Sequence, residues 1–591
     1  MATSASTLPL GVCVVPAPPD NAARTVSYPE YVHEILDHAG VCYTRISLDE
    51  LDADLPKLRL LVTVGDIKFS DTLQQRLKDW VDAGGAWIAV SGVCGMAEWF
   101  GVEVEPPAFS GWGGLVGTLG EGYLTPKASA HPIVAHAAIP LHFFNGVPVH
   151  ATSANVIAGV VDAHQRPSAR TAVTELAHGK GRCLLIAPDL TGAVVHIQQG
   201  RAVTRDRGPA HDGTAPCCDN VLKSDDGSVL DWIFDRQPVP GVPGFSAFLQ
   251  PVADQWRELL LRAIFHAATE QNVSLPVLWL YPRNAPALGH ISHDTDLSEP
   301  GPARTLLDRV REAGIHTTWC TILPAYEPEL MRAIKDAGHE YATHYDAMSE
   351  GRVWSEDEFD AQWRELTAAF GGEKPVTNKN HYLRWEGDTE FFEWLVKRGI
   401  QLDQSKGPSK TGEAGFNFGT CHPYFPVTPR GERIDVLELA TMTQDMVIYA
   451  PPALIDPVLD AVVRCHGVMH FLFHPAHIQK PGVADAFHLT VNKGKERGLE
   501  WWTASQINAW ERARRRVRWT GHSAGPSCRV TLESGAELPG ATILWLGNAI
   551  KGVAVDGIAM PSQTTQRWGF SWQAVGVTIR QGKACTVECQ S

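Results

Sequence analysis

Apolar runs and amphipathic stretches alternate along the first 272 residues. The run at 58–65 is typical of a buried strand, and 86–92 has the same character. Between them, 70–85 has apolar residues on one face, Ser70 in position to cap a helix, and glycines at its end. Such strand–helix–strand units build an open, mostly parallel sheet, so we expect a flavodoxin-like domain over 1–272.

The alternation repeats at least six times between residues 273 and 518. Amphipathic helical stretches occupy 302–314, 327–338 and 355–372, and strand-like runs occupy 315–322, 339–345, 376–382, 436–442 and 468–474. This order predicts a β/α barrel with its chemistry at the carboxyl ends of the strands. Short alternating runs separated by Gly and Pro follow, which predicts a small β-sandwich over 519–591. The expected fold class is therefore multidomain α/β.

Composition narrows the possible partners. The chain has 591 residues, too many for one hydrophobic core, and a formal net charge of −15. Nucleic acids and anionic membranes are bound through basic patches, so we expect neither as a partner. We interpret the one dense basic run, 512–518, as a solvated helix end.

Several features favour a cytoplasmic protein. No apolar segment reaches the roughly 18–20 residues of a spanning helix. The N-terminus has neither the basic region nor the apolar stretch of a secretory signal, although a chain trimmed ahead of residue 1 would leave secretion open. The twelve cysteines are scattered, which is typical of reduced, mostly buried thiols. We expect any self-association to use the N-terminal or the C-terminal domain.

One segment of the N-terminal domain resembles a known superfamily. The stretch "WVDAGGAWIAVSGVCG" (80–95) is similar to flavodoxin-like class I glutamine-amidotransferase domains, especially non-catalytic members attached to carbohydrate-active enzymes. Active members carry a nucleophilic Cys in a Gly-x-Cys-x-Gly elbow. Here Cys94 lies in Gly92-Val93-Cys94-Gly95-Met96, where the second Gly is misplaced. We therefore expect a non-catalytic domain.

Ionisable residues end many of the predicted barrel strands. They are Asp294, Asp296, His344, His381, Asp403, His474 and His477. In a barrel the strand ends converge on one mouth. One carboxylate and two imidazoles suit Zn²⁺ or a similar divalent ion, a second carboxylate can accept a proton from water, and a further His can protonate a leaving group. Capping turns for the aspartates and a structural strand end for His381 and Asp403 are the competing interpretations.

The middle of the chain also resembles one family. "HISHDTD" (290–296), "EPELMRAIKDAGHEYATHY" (327–345), "NHYLRW" (380–385) and "FLFHPAH" (471–477) are similar in order and spacing to the polysaccharide deacetylases (carbohydrate esterase family 4, NodB homology), over about 285–480. The resemblance implies a distorted (β/α)7 barrel that removes N- or O-acetyl groups from sugars with a metal held by Asp-His-His.

Two departures from the family pattern indicate a divergent HDxD branch. Thr295 separates two aspartates that are usually adjacent, and Met348 stands where the second histidine of an i, i+4 pair is usual. A thioether is a poor partner for Zn²⁺ beside carboxylate and imidazole. From the residues themselves, we expect His381 to replace it as third ligand.

The resemblance assigns the remaining roles residue by residue. Asp294 matches the catalytic base, and Asp296 and His344 match metal ligands. His474 matches the general acid, and we place His477 and Asp403 near it as orienting groups. Arg384 and Trp385 stand where the family has residues that orient the base and line the substrate groove.

The expected function is metal-dependent removal of N-acetyl groups from a carbohydrate, with Zn²⁺ as the first choice of metal and Co²⁺, Ni²⁺ or Mn²⁺ as alternatives. Two rivals stay open. One is a hydrolase of O-acetyl esters or of another amide on the same barrel, and the other is a catalytically inactive carbohydrate-binding or assembly protein.

Overall fold

The structure is a computed structural model that describes residues 8–16, 27–106, 108–109, 115–116, 119–208, 219–523, 527–547, 550 and 552–590. The chain divides into two compact units. One contains Met1–Val194, Gln255–Asn284 and Arg512–Ser591, and the other contains Val195–Asp254 and Ala285–Glu511. In the described part of the chain, no helix combines the length and apolar character needed to cross a membrane.

This division differs from the three consecutive domains 1–272, 273–518 and 519–591 expected from the sequence. It differs in two respects: the C-terminal residues 512–591 belong to the first unit, and the loop-rich segment 195–254 belongs to the second. Its backbone forms bridges to later residues of that unit, from Val203 to Gly387 and from Phe248 to Gly415. Backbone pairing of this kind cannot be read from a Gly- and Pro-rich stretch.

The first unit opens with an α/β sheet. The elements up to residue 199 are β1 (Leu10–Val14), α1 (Tyr31–Ala39), β2 (Thr44–Arg45), α2 (Leu48–Asp54), β3 (Leu60–Val64), α3 (Asp71–Asp82), β4 (Ala86–Val90), β5 (Val102–Val104), β6 (Ala108–Phe109), β7 (Leu115–Val116), β8 (Gly122–Pro126), β9 (Leu141–Phe143), β10 (Val149–Ala151), β11 (Asn155–Asp162), β12 (Pro167–His178), β13 (Gly181–Ile186) and α4 (Leu190–Gln199). The largest sheet has the order β2-β1-β3-β4-β13-β12-β11-β8-β9. Its first five strands pair in parallel, in the 2-1-3-4-5 order of flavodoxin-like sheets.

Helix α3 forms as its sequence predicts. Ser70 accepts a hydrogen bond from the Leu73 N–H at 3.3 Å, which satisfies one of the unpaired donors of the first turn. Leu73, Leu77 and Val81 are its buried residues and pack in one core with Trp87 of β4. The apolar stripe seen in the sequence is therefore the face that covers the sheet.

Cys94 lies in a strained turn after β4, with φ of 54°, the left-handed region that nucleophile elbows also use. Its N–H donates to Asp66 Oδ1 at 2.7 Å. The thiol, however, is buried, and burial raises its pKa to about 12. A protonated, solvent-inaccessible sulfur has little nucleophilic character.

The next elements are β14 (Gln237–Pro238), β15 (Ser246–Ala247), α5 (Val252–Glu270) and β16 (Pro276–Leu278). The barrel segment contains β17 (Leu288–Asp294), α6 (Pro300–Ala313), β18 (Thr318–Thr321), α7 (Pro328–Asp336), β19 (Glu340–Tyr345), α8 (Glu356–Ala369), β20 (Thr377–Asn380), α9 (Glu390–Arg398), β21 (Leu402–Asp403), β22 (Leu437–Glu438), β23 (Thr443–Gln444), α10 (Ile455–Cys465), β24 (Val468–Leu472), α11 (Val483–Glu496), β25 (Glu500–Trp501) and α12 (Ala504–Arg514).

The barrel strands form one curled parallel sheet. Its order is β22-β21-β20-β19-β18-β17-β24-β23, and β25 also pairs with β17. Helices connect most successive strands, and their apolar stripes are buried; Leu306, Leu307 and Val310 of α6 belong to the core of this unit. Parallel strands joined in this way bring their carboxyl ends to one edge of the sheet. The structure thus has a curled, parallel half-barrel sheet, which is compatible with the β/α barrel that the repeated pattern predicts.

The last part of the chain is all β: β26 (Arg518–Ser523), β27 (Ser527–Glu533), β28 (Leu538–Leu546), β29 (Gly552–Val555), β30 (Ile558–Met560), β31 (Gln563–Arg567), β32 (Phe570–Ile579) and β33 (Cys585–Gln590). These strands form two antiparallel sheets, ordered β16-β28-β32-β31 and β26-β27-β33-β29-β30. Strand β16, which precedes the barrel, is thus an edge strand of the first sheet.

The basic run 512–518 is only in part the solvated helix end expected from the sequence, because Arg516 and Arg518 are exposed whereas Arg512 and Arg514 are buried. Arg514 is 2% exposed, and its guanidinium donates to the His38 carbonyl at 2.6 Å. Arg515 forms an ion pair with Glu34. Local charge density could not reveal that Arg514 and Arg515 bind His38 and Glu34, near the start of the chain. The ten described cysteines are all buried and free, whereas Cys217 and Cys218 lie outside the described residues.

Candidate active site

Strand β17 ends at Asp294, and Asp296 follows two residues later. All seven residues of β17 are buried, whereas the Asp296 side chain is 25% exposed. Thr295 between them continues the pairing, because its N–H donates to the Cys320 carbonyl at 3.1 Å. Because Thr295 is inserted between them, Asp294 is buried at the end of the strand whereas Asp296 is partly exposed beyond it.

His344 is the next-to-last residue of β19 and is fully buried. Its Nδ1–H donates to the backbone carbonyl of Lys379, 2.8 Å away. Since this acceptor holds a hydrogen on Nδ1, the neutral ring carries its lone pair on Nε2. Nε2 faces Asp296 Oδ1 at 3.1 Å.

His381 directly follows β20. Its Nδ1–H donates to Asp346 Oδ1 at 2.9 Å, and its Nε2 lies 3.8 Å from Asp296 Oδ2. The next residue, Tyr382, has φ of 60° and turns the chain sharply away from the strand. Asp346 was not among the residues expected from the sequence, although its position directly after β19 is a signal that could have identified it.

Asp296, His344 and His381 fit a divalent metal ion. Their donor atoms lie within 4.8 Å of one another. A tetrahedral zinc site with bonds of 2.0–2.1 Å sets neighbouring donors about 3.3 Å apart. His344 Nε2 lies 3.1 Å from Asp296 Oδ1 and His381 Nε2 lies 3.8 Å from Oδ2, and both separations are close to this value. Both imidazoles also bind an acceptor through Nδ1 and direct Nε2 inward, as metal-binding histidines usually do.

The charges around Asp296 and His344 favour a positive charge between them. Burial alone would raise the pKa of Asp296, but His474, His344 and His381 outweigh that effect and hold its pKa well below the usual range. Burial lowers the pKa of His344, but Asp294 and Asp296 reverse the direction and raise it. Without a cation the carboxylates favour a proton on His344, and a metal ion would supply the same positive charge.

Met348, four residues after His344, has another role. Its Sδ lies 3.6 Å from Arg384 Nη1, and its N–H donates to Asp346 Oδ1 at 2.8 Å. The backbone at Met348 therefore helps to orient the carboxylate that holds His381. The structure brings His381, rather than Met348, to Asp296.

His474 follows β24, and its ring is held by Asp445. The Nδ1–H donates to Asp445 Oδ2 at 2.5 Å, while Nε2 lies 3.4 Å from Asp296 Oδ2. His477 Nδ1 lies 2.7 Å from the same Asp445 oxygen. Burial disfavours the charged imidazole, but Asp445 and Asp296 outweigh it and raise the pKa of His474 to about 9. His474 is therefore a cation at neutral pH and a potential proton donor.

Asp445, His474 and His477 do not fit a second metal ion, although their donor atoms also lie close together. The separations of 2.5 and 2.7 Å between Asp445 Oδ2 and the two Nδ1 atoms are hydrogen-bond lengths. They are well short of the roughly 3.3 Å between donors of a tetrahedral ion. Asp445, which the sequence did not single out, is the orienting residue of this pair.

Asp294 lies on the inner side of the group. Its Oδ2 is 3.9 Å from His344 Nε2 and 3.5 Å from the amine of Lys379. Its Oδ1 is buried and has no hydrogen-bond partner among the described residues. An unoccupied acceptor beside a metal-binding group is what a general base needs.

Three residues expected at the site lie elsewhere. Arg384 forms an ion pair with Glu386 and donates to the Ala347 carbonyl, instead of contacting Asp294. Trp385 is fully buried, so it cannot line a groove. Asp403 is also fully buried and accepts hydrogen bonds from Asn378 at 2.7 Å and Ser405 at 2.8 Å. The orienting role expected of Asp403 is filled by Asp445.

A third cluster of possible ligands, in the other unit, is an ion-pair network. Glu175 accepts from His266 at 3.0 Å and from Arg182 at 2.5 Å, and His131 Nε2 lies 3.6 Å away. His131 Nδ1 accepts the Ile133 N–H, which places the hydrogen of a neutral ring on Nε2 and leaves no lone pair there for a metal.

Comparisons with known proteins give weak matches. Neither a protein family model nor a curated protein sequence matches the chain. Among solved structures, a Mycobacterium smegmatis protein assigned to the polysaccharide deacetylases is 17% identical, with a TM-score of 0.30, over 39% of this chain and 92% of that one. The Puue allantoinase is 14% identical (TM-score 0.31; 39% and 91% of the two chains).

The peptidoglycan N-acetylglucosamine deacetylase Bc1960 is 14% identical, with a TM-score of 0.26, over 39% of this chain and 90% of that one. At these values the similarities carry no argument about activity.

Proposed function

We propose that this chain is a metal-dependent hydrolase that removes the acetyl group from an acetamido substituent of a carbohydrate. The observation that carries the proposal is the pairing of each candidate ligand histidine with its own acceptor. His344 is held by the Lys379 carbonyl and His381 by Asp346, so that both Nε2 atoms face Asp296. A divalent ion bound there would polarise an acyl carbonyl and lower the pKa of water.

The protein groups around that position divide the proton transfers between them. Asp294, with its unpaired Oδ1, accepts a proton from the attacking water. His474, charged at neutral pH and fixed by Asp445, donates a proton to the nitrogen as the carbon–nitrogen bond breaks. Asp294 thus takes up one proton from water, His474 delivers one proton to the nitrogen, and acetate and an amine leave the site.

The charged His474 favours an amide over an ester as substrate. An amine departs only if its nitrogen is protonated, whereas an alkoxide is a better leaving group and depends less on an acid. The carbohydrate part of the proposal rests on the deacetylase-like motifs and on Tyr382, whose side chain is exposed directly beside His381. An exposed aromatic ring is a surface on which a sugar ring can stack.

The test is acetate release from N-acetylated oligosaccharides by protein freed of metal and then loaded with Zn²⁺ or Co²⁺. We expect activity that a chelator removes and that metal restores. Asp294→Asn is expected to abolish release while leaving the bound metal in place, because Asp296, His344 and His381 remain. Undiminished acetate release by Asp294→Asn would rule out the role given to Asp294.

The same assay distinguishes the rivals. O-acetyl sugars and small amides, compared at equal concentration, identify an esterase or a hydrolase of another amide. Protein that binds no divalent metal under any loading condition and hydrolyses none of these substrates would be an inactive binding or assembly protein.

A further inference from the structure

Lys379 is a fully buried lysine in the middle of the barrel sheet. Its amine lies 3.2 Å from Ser292 Oγ and 3.5 Å from Asp294 Oδ2. A buried ammonium is costly unless a negative charge compensates it. Asp294 is the carboxylate that forms an ion pair with Lys379 in the described part of the chain.

The other titratable groups beside this amine carry no compensating charge. His290 and His470 lie nearby, and burial, with a contribution from Lys379 itself, lowers the pKa of both. They are therefore neutral. His470 bonds to Ser292 Oγ at 2.9 Å and His290 to Gln404 Oε1 at 2.8 Å, so each has its own partner.

Lys379 also acts through its backbone. Its carbonyl accepts the Nδ1–H of His344, the hydrogen bond that directs His344 Nε2 to Asp296. In a strand the carbonyl points to the neighbouring strand while the side chain points out of the sheet. A single residue of β20 therefore contacts Asp294 on β17 with its side chain and His344 on β19 with its main chain.

We propose that Lys379 is the positioning residue of the candidate catalytic base: its amine contacts Asp294 Oδ2 and thereby fixes the direction of the free Oδ1, the role that sequence motifs assign to Arg384. The guanidinium of Arg384 is already engaged by Glu386 and the Ala347 carbonyl. The cation that orients Asp294 is therefore Lys379, within strand β20, and not Arg384, which lies in the loop after that strand. The catalytic part of this inference rests on the proposed function.

The first test compares Lys379→Met with Lys406→Met. Lys406 is also a buried lysine of this unit, with its amine 3.8 Å from the centre of the Trp385 ring, and it has no contact with Asp294. Both variants remove a buried ammonium, so the comparison corrects for general destabilisation. We expect Lys379→Met to lower kcat about 100-fold with KM nearly unchanged, because a base displaced by a fraction of an ångström works poorly.

Bound metal per chain is measured in the same preparations. Methionine keeps the backbone carbonyl that orients His344, so Lys379→Met is expected to bind as much Zn²⁺ as the unmodified protein. A kcat equal to that of Lys406→Met would overturn the proposal. Loss of metal from Lys379→Met would overturn it as well, because the residue would then act on the ligands and not on the base.

A second measurement is independent of any activity. Melting temperatures of metal-free protein are compared for Lys379→Met, Asp294→Asn and the double variant. If the two groups form the charge pair, the double variant loses less than the sum of the single losses, because Asp294→Asn removes the carboxylate that Lys379→Met leaves unpaired. Additive losses would contradict the pairing. A protein inactive on every acetamide would disprove the proposed function, while this cycle would still decide whether Lys379 holds Asp294.

Discussion

Asp346 accepts the Nδ1–H of His381 at 2.9 Å, and this hydrogen bond directs Nε2 of the imidazole to Asp296. Burial disfavours the charged carboxylate, but His381 and nearby hydrogen bonds outweigh this and hold the pKa of Asp346 well below its usual range. A carboxylate behind a metal-binding histidine fixes the ring and makes it a better electron donor. The pair therefore makes His381 an effective ligand even though it lies outside the usual i, i+4 arrangement.

Replacing Asp346 with asparagine is expected to weaken Zn²⁺ binding about 10- to 100-fold, because the neutral amide no longer holds the imidazole in its ligand orientation. Competition with a chromogenic chelator measures the affinity. Asp308→Asn, at an exposed carboxylate of α6, is the control and should bind zinc as the unmodified protein does. Equal affinities for the two variants would show that His381 does not depend on Asp346.

The identity of the third ligand can be tested with two substitutions. His381→Ala is expected to leave substoichiometric metal after dialysis, whereas Met348→Leu is expected to retain one ion per chain. Met348 contacts Arg384, and leucine preserves its volume and the backbone N–H that binds Asp346. Elemental analysis of both proteins measures the bound metal per chain. Loss of metal from Met348→Leu but not from His381→Ala would make Met348 the third ligand.

Asp445→Asn is expected to lower kcat about 100- to 10,000-fold, because the amide neither stabilises the imidazolium of His474 nor enforces its orientation. Metal content should stay the same, since Asp445 contacts His474 and His477 but none of the three ligand residues. Steady-state kinetics and elemental analysis on one preparation test both statements. A variant that loses its metal instead would make Asp445 part of the ion's binding site.

Tyr382 is expected to affect substrate binding more than chemistry. The residue is 53% exposed, and its ring lies 4.9 Å from the ring of His381, centre to centre. Tyr382→Ala should raise KM for an oligosaccharide several-fold with little change in kcat, as expected for a lost stacking surface. Tyr382→Phe keeps the ring and serves as the control. Equal KM values for the alanine and phenylalanine variants would exclude stacking.

Acid is expected to destabilise the barrel before its carboxylates are protonated. Burial lowers the pKa of His290 to about 4 and that of His293 to about 3, while an unfolded histidine titrates near 6.5. Below pH 6.5 the unfolded chain binds protons that the folded chain excludes, so the free energy of unfolding falls as the pH is lowered to about 4. Hydrogen exchange of β17 peptides measures this loss. His290→Gln should show a smaller dependence on pH, and an unchanged one would contradict the assignment.

Much of the architecture follows from local pattern. The stripe of α3 and the cap at Ser70, or the buried runs of β17 and β24, reflect side-chain periodicity and turn chemistry, which depend on neighbours a few residues away. The same local patterns placed ionisable residues at the ends of predicted strands. Parallel strands bring their ends to one edge of the sheet, so these residues were expected to lie close together. Their roles at the site remain predictions that the substitutions above test.

Other features depend on contacts between distant parts of the chain. The sequence could not reveal that the loop 195–254 pairs with the barrel segment, or that Arg512 and Arg514 of the basic run are buried. Both outcomes depend on acceptors far away in the chain, which local composition does not encode.

By itself, the sequence determined the βα repeat and the supply of carboxylates and imidazoles at its strand ends. Only the tertiary structure decided which residue orients which: Asp346 for His381, Asp445 for His474 and Lys379 for Asp294. The physical reason is that these orientations depend on short-range contacts, namely hydrogen bonds of 2.5–2.9 Å and a buried ion pair at 3.5 Å. Such distances exist only once separate strands have been packed into one sheet.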